Sequence, residues 1–257
     1  MSSNDGIKKT LLVAFSLCIV CSVIVSTAAV MLKPTQEVNQ ALDRKRNILA
    51  AAGMMDPSRT VEEQFAQIQT RVVDLRTGRF TDDVDPTEYD QIKASKDPEM
   101  STRLDPKEDI AKIFRREHYA LVYLAEDDKG ELNRVILPVH GYGLWGTLYG
   151  FIALERDANT VAGLGFYQHK ETPGLGGEVD NPRWKGLWPG KKVYDDGDVE
   201  LTVLKGTADP QSANAAYEVD GLAGATLTTR GVSNLVHYWL GDSGFAPFLE
   251  NLKAGEA

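Results

Sequence analysis

The first strong signal along the chain is an interval without charge. From Thr10 to Leu32, between Lys9 and Lys33, 23 consecutive residues carry none. As a helix rising ~1.5 Å per residue they reach roughly 35 Å, enough to cross a hydrocarbon core of ~30 Å with some tilt. The pattern predicts one transmembrane helix over residues 10–32. A cleaved signal peptide is the alternative, with Lys8 and Lys9 as its basic segment and Ser26-Thr27-Ala28 as a small-residue cleavage site. The apolar run continues past that site to Leu32 and exceeds the ~7–15 residues of a leader's apolar region, which favours the anchor. Charge bias then keeps residues 1–9 in the cytoplasm and places everything from residue 33 onward across the membrane, in the periplasm if the membrane is a Gram-negative inner membrane.

Beyond the anchor, Val38, Ala41, Leu42, Ile48, Leu49 and Ala52 fall at helical spacing and predict a helix over 35–52, ended by Gly53. Thr60 with Glu63 has the form of a capping box, opening a second helix that carries Val61, Phe65, Ile68 and Val72. Residues 81–104 are polar and without period, a surface excursion, and Asp105-Pro106 starts another short helix. From Tyr119 the pattern changes to period two and short apolar runs. Strands are predicted over 120–124, 134–139, 148–154, 161–167 and 199–204, with Asp127-Asp128-Lys129-Gly130 as the hairpin turn between the first two. A helix over 228–240 closes the pattern with Val232, Leu235, Val236 and Trp239 on one face. The fold class expected is α+β: a mainly antiparallel or mixed sheet flanked by helices, behind a single N-terminal transmembrane helix. Residues 33–118 are expected as a helical segment packing on a domain of residues 119–257.

Composition adds two exclusions. With 42% hydrophobic and 25% charged residues in 257, the chain is neither fibrous nor wholly disordered. Its 28 basic and 37 acidic residues give a net charge of −9. The part beyond the anchor, two lysines and one aspartate poorer, stands at 26 against 36, or −10. Such a balance argues against nucleic acid as a partner, because phosphate backbones are bound by a surplus of Lys and Arg. Both cysteines, Cys18 and Cys21, lie inside the anchor at i and i+3, on one helix face. They read either as two small apolar residues of a membrane helix or as half of a metal or Fe–S site shared with another subunit. The domain beyond the anchor contains no cysteine, so no disulfide holds it.

Candidate chemistry concentrates in three glycine-rich segments: Gly141-Tyr-Gly-Leu-Trp-Gly146, His169-Lys-Glu-Thr-Pro-Gly-Leu-Gly-Gly177 and Asp220-Gly-Leu-Ala-Gly-Ala-Thr-Leu-Thr228. Glycines let backbone approach a flat or anionic ligand, and successive N–H groups in such turns form anion-binding concavities. In the third segment Thr226 stands immediately before a helix, so a phosphate on its hydroxyl would face unpaired N–H groups, with Arg230 one turn along the same face. The plainer alternative is that Thr226 or Thr228 caps that helix. His169 reads as a proton-transfer group, an orienting hydrogen-bond partner or a plainly exposed residue. His118, His140 and His237 form no metal-ligand spacing, and Trp184 and Trp188 read as loop packing.

The stretch DGLAGATLT resembles the flavinylation motif of the periplasmic FMN-binding domain family, and HKETPGLGG and GYGLWG resemble its companion signatures. Over its full length, from the anchor to the closing WLGDSGFAPFL, the chain is similar to the C subunits of bacterial sodium-translocating NADH:quinone reductases. The resemblance implies FMN bound covalently, its phosphate esterified to Thr226 by a separate flavin transferase that uses FAD. Thr226 is the acceptor because it alone follows Gly-Ala as the motif requires. Ala223 stands where the motif usually has Ser or Thr. Around the flavin the resemblance implies Asp220, Leu222, Gly224, Ala225, Thr228 and Arg230 from the motif, with Trp145, Leu175 and Leu222 against the ring. Glu171, Thr172 and the Gly174–Gly177 backbone, Gly176 included, are expected at its polar edge. No catalytic residue beyond the flavin and no metal are expected. The implied function is electron relay between redox centres of neighbouring subunits, as one subunit of a translocating reductase. A flavoprotein subunit of a homologous ferredoxin:NAD-type ion pump and a non-redox tethered binding module remain as alternatives.

Overall fold

The computed structural model describes residues 6–127 and 129–257; the first five residues of the expected cytoplasmic segment and Asp128 of the expected hairpin turn lie outside the described residues. The contacts divide the chain into two units, one up to Asp43 and one from Arg44 to Ala257. A single helix, α1 (Ile7–Ala51), supplies the first unit and continues into the second.

The apolar stretch of α1 is solvent-exposed throughout, and by length and composition this helix fits one membrane crossing. The separate helix expected over 35–52 is absent as such: the chain runs through Pro34 without a break. Pro34 removes one N–H from the ladder, while Lys33 and Glu37 pair across one turn at 3.8 Å. The helix does end at Gly53, whose φ of +62° allows Met54 N–H to reach back to the Leu49 carbonyl.

In the second unit the predicted capping box forms. Thr60 Oγ1 accepts from Glu63 N, and Thr60 N donates to the Glu63 carboxylate. The helix it opens, α2 (Val61–Phe65), is only five residues long. Ile68 and Val72, expected on it, lie instead in β1 (Ile68–Asp74), an internal strand of the main sheet. The run Thr70-Arg71-Val72-Val73 is rich in β-branched residues, and its pairing with a neighbouring strand outweighs the helical spacing of the apolar positions. After β2 (Arg79–Phe80) the polar excursion carries a short helix, α3 (Gln91–Ala94), and β3 (Ser101–Arg103), which pairs with β4 (Arg115–Glu117). The helix expected from Asp105-Pro106 is no more than a turn. Asp109 accepts Ile113 N (2.8 Å) and Phe114 N (2.7 Å) and holds Lys112 and Phe114 at φ +54° and +64°, which ends any helical run.

The predicted strands then appear with longer bounds: β5 (Tyr119–Glu126), β6 (Leu132–Tyr142), β7 (Thr147–Glu155) and β8 (Val161–Gln168). With β1 and β2 they form a six-stranded sheet in the order β2-β1-β5-β6-β7-β8, antiparallel at every step. The strand expected over 199–204 is broken into β10 (Asp198–Val199), which pairs with β9 (Tyr194–Asp195), and β11 (Thr202–Val203), which runs parallel to β12 (Glu218–Val219). Between β8 and β9 lie a 3₁₀ turn (Gly176–Asp180) and α4 (Pro182–Lys185). Two helices close the chain, α5 (Thr226–Leu240) and α6 (Ala246–Ala254).

Alternation on β5 explains the layers. Ala120, Val122 and Leu124 face a core completed by Val232, Leu235, Val236 and Trp239 of α5 and Phe248 of α6. Leu121, Tyr123 and Ala125 face a second core completed by Ile48, Leu49 and Ala51 from the end of α1 and by Ala52 just after it. A sheet covered on both faces needs strands apolar at successive positions, which is why these segments read as nearly continuous apolar runs. Trp184 and Trp188 pack edge to face at 5.4 Å in the first core.

Candidate flavin site

The three glycine-rich segments meet at one buried carboxylate. Glu171, 6% exposed, accepts the N–H groups of Leu144 and Trp145 on Oε1, each at 3.0 Å, and the hydroxyl of Thr228 on Oε2 at 2.6 Å. The β6–β7 loop, the loop after β8 and the first turn of α5 are thereby held together. The glycines make room for this: a Cβ on Gly143 would come 2.5 Å from Glu171 Oε1, and one on Gly176 would come 2.5 Å from both Glu171 Oε2 and Thr228 Oγ1. His169 accepts Glu171 N–H on Nδ1 (3.1 Å) and bonds Asp180 through Nε2 (2.8 Å), so it orients this loop. Glu171, expected at a flavin's polar edge, has both oxygens engaged by the protein.

The loop leading into α5 is fixed by its own set of bonds. Asp220 accepts Ala208 N on its carboxylate (2.8 Å) and Trp184 Nε1 on its carbonyl (2.8 Å). Leu222 N donates to Thr229 Oγ1 (3.0 Å), and the Leu222 side chain is buried in the core, so it anchors the loop and offers almost no surface to a ligand. Gly224 turns the chain at φ +71°, with Leu175 packed against its open side. Ala225 is then the N-cap residue, and it supplies no side-chain hydrogen bond. Neither Thr226 nor Thr228 caps the helix: Thr228 is fully buried on Glu171, and Thr226 is exposed at the first helical position. Helix α5 therefore opens toward solvent with its first N–H groups free of a side-chain cap and a hydroxyl beside them, an arrangement that suits a phosphate ester.

Exposed apolar side chains gather from the same three loops. Leu144 (38%), Trp145 (62%) and Leu175 (46%) in the loops and Leu227 (53%) in the first turn of α5 leave large apolar area in solvent. Trp145 and Leu175 are among the residues expected against a ring; Leu144 and Leu227 lay unremarked inside the motifs. Thr172 is exposed, and its carbonyl accepts Leu175 N and Gly177 N to close the turn. Arg230 is exposed one turn beyond Thr226 and lines a shallow groove with it. A phosphate at Thr226 and a flat apolar ring across Leu175, Leu227 and Trp145 fit the residues present. Nothing in the motifs singles out Thr229 as the acceptor that closes the loop, or Lys205, which lines the groove from a point 21 residues away.

Fold and site together define a sheet domain following one long apolar helix, with residues that fit a phosphorylated, flat ligand. Comparison with known proteins names such a ligand. Residues 143–241 match the FMN-binding domain family. Across its whole length the chain is 57% identical to the C subunit of the Na(+)-translocating NADH-quinone reductase of Pseudomonas aeruginosa, with both chains fully covered. It is 46% identical to the protein of that name in Yersinia pestis, over 98% of this chain and 96% of the relative. Among solved structures, Shewanella oneidensis NqrC superposes with a TM-score of 0.75 at 37% identity, covering 82% of this chain and 96% of that one. The chain belongs to the family formed by the C subunits of the Na(+)-translocating NADH-quinone reductases.

Proposed function

We propose that this chain is the electron-relaying flavoprotein subunit of a sodium-translocating NADH:quinone reductase and carries FMN as a phosphoester on Thr226. The observation that carries the reading is the exposed Thr226 hydroxyl at the uncapped start of a 15-residue helix, inside the segment that matches the FMN-binding domain family. Bound there, FMN supplies reversible one- and two-electron chemistry. The chain's part is to hold and surround it. The free N–H groups of α5 and Arg230 receive the phosphate, Leu175, Leu227 and Trp145 shield the ring, and Glu171 fixes the three loops at their mutual spacing. Asp220, Leu222, Gly224, Ala225 and Thr228 set the approach to Thr226, while Thr172 and the backbone at Gly176 border the ring's polar edge.

Attachment through the phosphate leaves the ring unmodified, so its potential is tuned by these surroundings. The ester also lowers the anionic charge, since a diester keeps one negative charge where a free monoester carries about −1.5 to −2. That suits a domain at −10. A flavin transferase forms the ester, and the N-terminal anchor in the inner membrane, with Lys8 and Lys9 on the cytoplasmic side, presents the domain to neighbouring subunits in the periplasm. The reductase name carried by the relatives favours this complex over a ferredoxin:NAD-type pump. The test is coexpression with the transferase followed by denaturing electrophoresis. A flavin-fluorescent band is expected for the native chain and none for Thr226→Ala; an unlabelled native chain would sink the reading.

A further inference from the structure

We infer that Lys205 joins Arg230 as a cationic clamp on the phosphate of the Thr226 ester, the two forming the charged wall of a groove that runs along α5. The clamp rests on the Thr226 reading and adds to it a residue from a separate element.

The groove is lined by Thr226, Thr229, Arg230, Ser233 and Asn234 of α5 and by Val203 and Lys205 from β11 and the residues after it. Residues 226, 230 and 233–234 form one stripe of the helix, about 12 Å long from end to end. Ser233 Oγ bonds Thr202 Oγ1 at 2.8 Å and accepts Val203 N at 3.3 Å, which pins α5 to β11 and sets the position from which Lys205 follows. The polar groups divide cleanly into structural and idle ones. Ser233 is committed to β11 and Thr229 to Leu222 N. Lys205 and Arg230 are both exposed, and among the described residues neither forms an ion pair.

Two cations without ion pairs among the described residues line one groove in a domain with ten more acidic than basic residues. Carboxylates are plentiful as alternative partners, yet both cations line the groove that holds the hydroxyl offered for esterification. Arginine can fork onto two non-bridging phosphate oxygens, and lysine adds a point charge. A flavin without a phosphate gains nothing from either, so the pair also selects for the phosphorylated form.

The experiment uses the full chain in detergent with limiting flavin transferase and FAD, comparing the native chain with Lys205→Gln, Arg230→Gln, the double variant and Lys205→Arg. Each neutral variant is expected to slow initial flavin incorporation about tenfold, and the double more, with Lys205→Arg restoring the rate to within about twofold. Because the clamp is exposed, raising the salt should slow the native chain toward the double variant. The phosphorus NMR resonance of the loaded ester should move in the neutral variants and move less in Lys205→Arg. Unfolding midpoints should stay unchanged, since neither side chain is ion-paired in the fold. A double variant that loads at the native rate overturns the inference while leaving Thr226 as acceptor. Slower loading with an unmoved phosphorus resonance also overturns it, assigning the cations to contact with the transferase. A native chain that takes no flavin on Thr226 removes the reading beneath.

Discussion

Thr228 Oγ1 donates to Glu171 Oε2 across 2.6 Å, with both side chains buried, and so ties the first turn of α5 to a loop 57 residues earlier in the chain. The other oxygen of Glu171 takes two backbone N–H groups of a third loop. One carboxylate thus sets the mutual spacing of the three glycine-rich segments. Thr228→Val keeps the shape but leaves Oε2 buried without its donor, at an expected cost of about 1–3 kcal/mol. Glu171→Ala strands three donors and opens a cavity, and should cost more. Urea unfolding of the detergent-solubilised chain measures both; a Thr228→Val variant within about 0.5 kcal/mol of the native chain would show the contact to be incidental.

Gly176→Ala should destabilise the domain through the junction at Glu171. The new methyl meets Glu171 Oε2 and Thr228 Oγ1 at 2.5 Å, two atoms already locked to each other. Overpacking of this kind costs about 1–3 kcal/mol. Gly146→Ala is the matched control, because the nearest atoms to its methyl would be those of the Lys170 side chain, from 3.1 Å. Equal melting temperatures for the two variants would contradict the tight junction at Glu171.

Trp145 is 62% exposed, so Trp145→Ala should leave stability within about 0.5 kcal/mol. Its effect should emerge in the flavin instead. An indole against the ring quenches its emission, and the loaded variant should fluoresce more strongly in the native state than the loaded parent, with the difference vanishing on denaturation. An unchanged native emission would place the ring elsewhere.

The pH dependence of stability should carry a histidine signature. Burial in the core against Tyr149 and Trp239 holds the His140 imidazole below its ordinary value of 6.5, with Glu117 and Asp109 opposing the shift. His140 therefore stays neutral in the fold where the unfolded chain would be protonated. Its contribution is complete above pH 6.5 and is lost as pH falls, by up to about 1.4 kcal/mol per pH unit for one proton. His237 and His118 are shifted in the same direction, both mainly by burial. His140→Phe should remove one proton's share of the slope of stability between pH 6.5 and 5. Identical slopes would show that His140 takes up its proton in the fold.

Legibility in the sequence followed the range of the interactions. Strands β5 to β8 and α5 carry their own signal, because each has one or two faces to bury and an apolar pattern to match. Segment 68–74 did not: Ile68 and Val72 are spaced four apart as on a helix, and only pairing with β5 makes them a strand. The loop at 105–114 failed for a similar reason, since Asp109 imposes left-handed residues that no helix accepts. At the site, Thr226, Trp145 and Leu175 were readable because the motifs are contiguous. Lys205 was not, because its place beside Thr226 depends on Ser233 joining α5 to β11. Glu171 was visible as a motif residue, but its role as the junction of the three loops needs the fold to bring them together.

Everything proposed for the site turns on a phosphoester of FMN on one threonine among the three in Thr226-Leu-Thr-Thr229. Fragmentation mass spectrometry of the proteolytic peptide spanning residues 220–230, from chain produced with the transferase, resolves it most directly. The FMN phosphoryl mass is expected on Thr226 alone, with Thr228 and Thr229 unmodified because both hydroxyls are buried and bonded within the fold. The modification on Thr228 or Thr229, or an unmodified peptide, would contradict it.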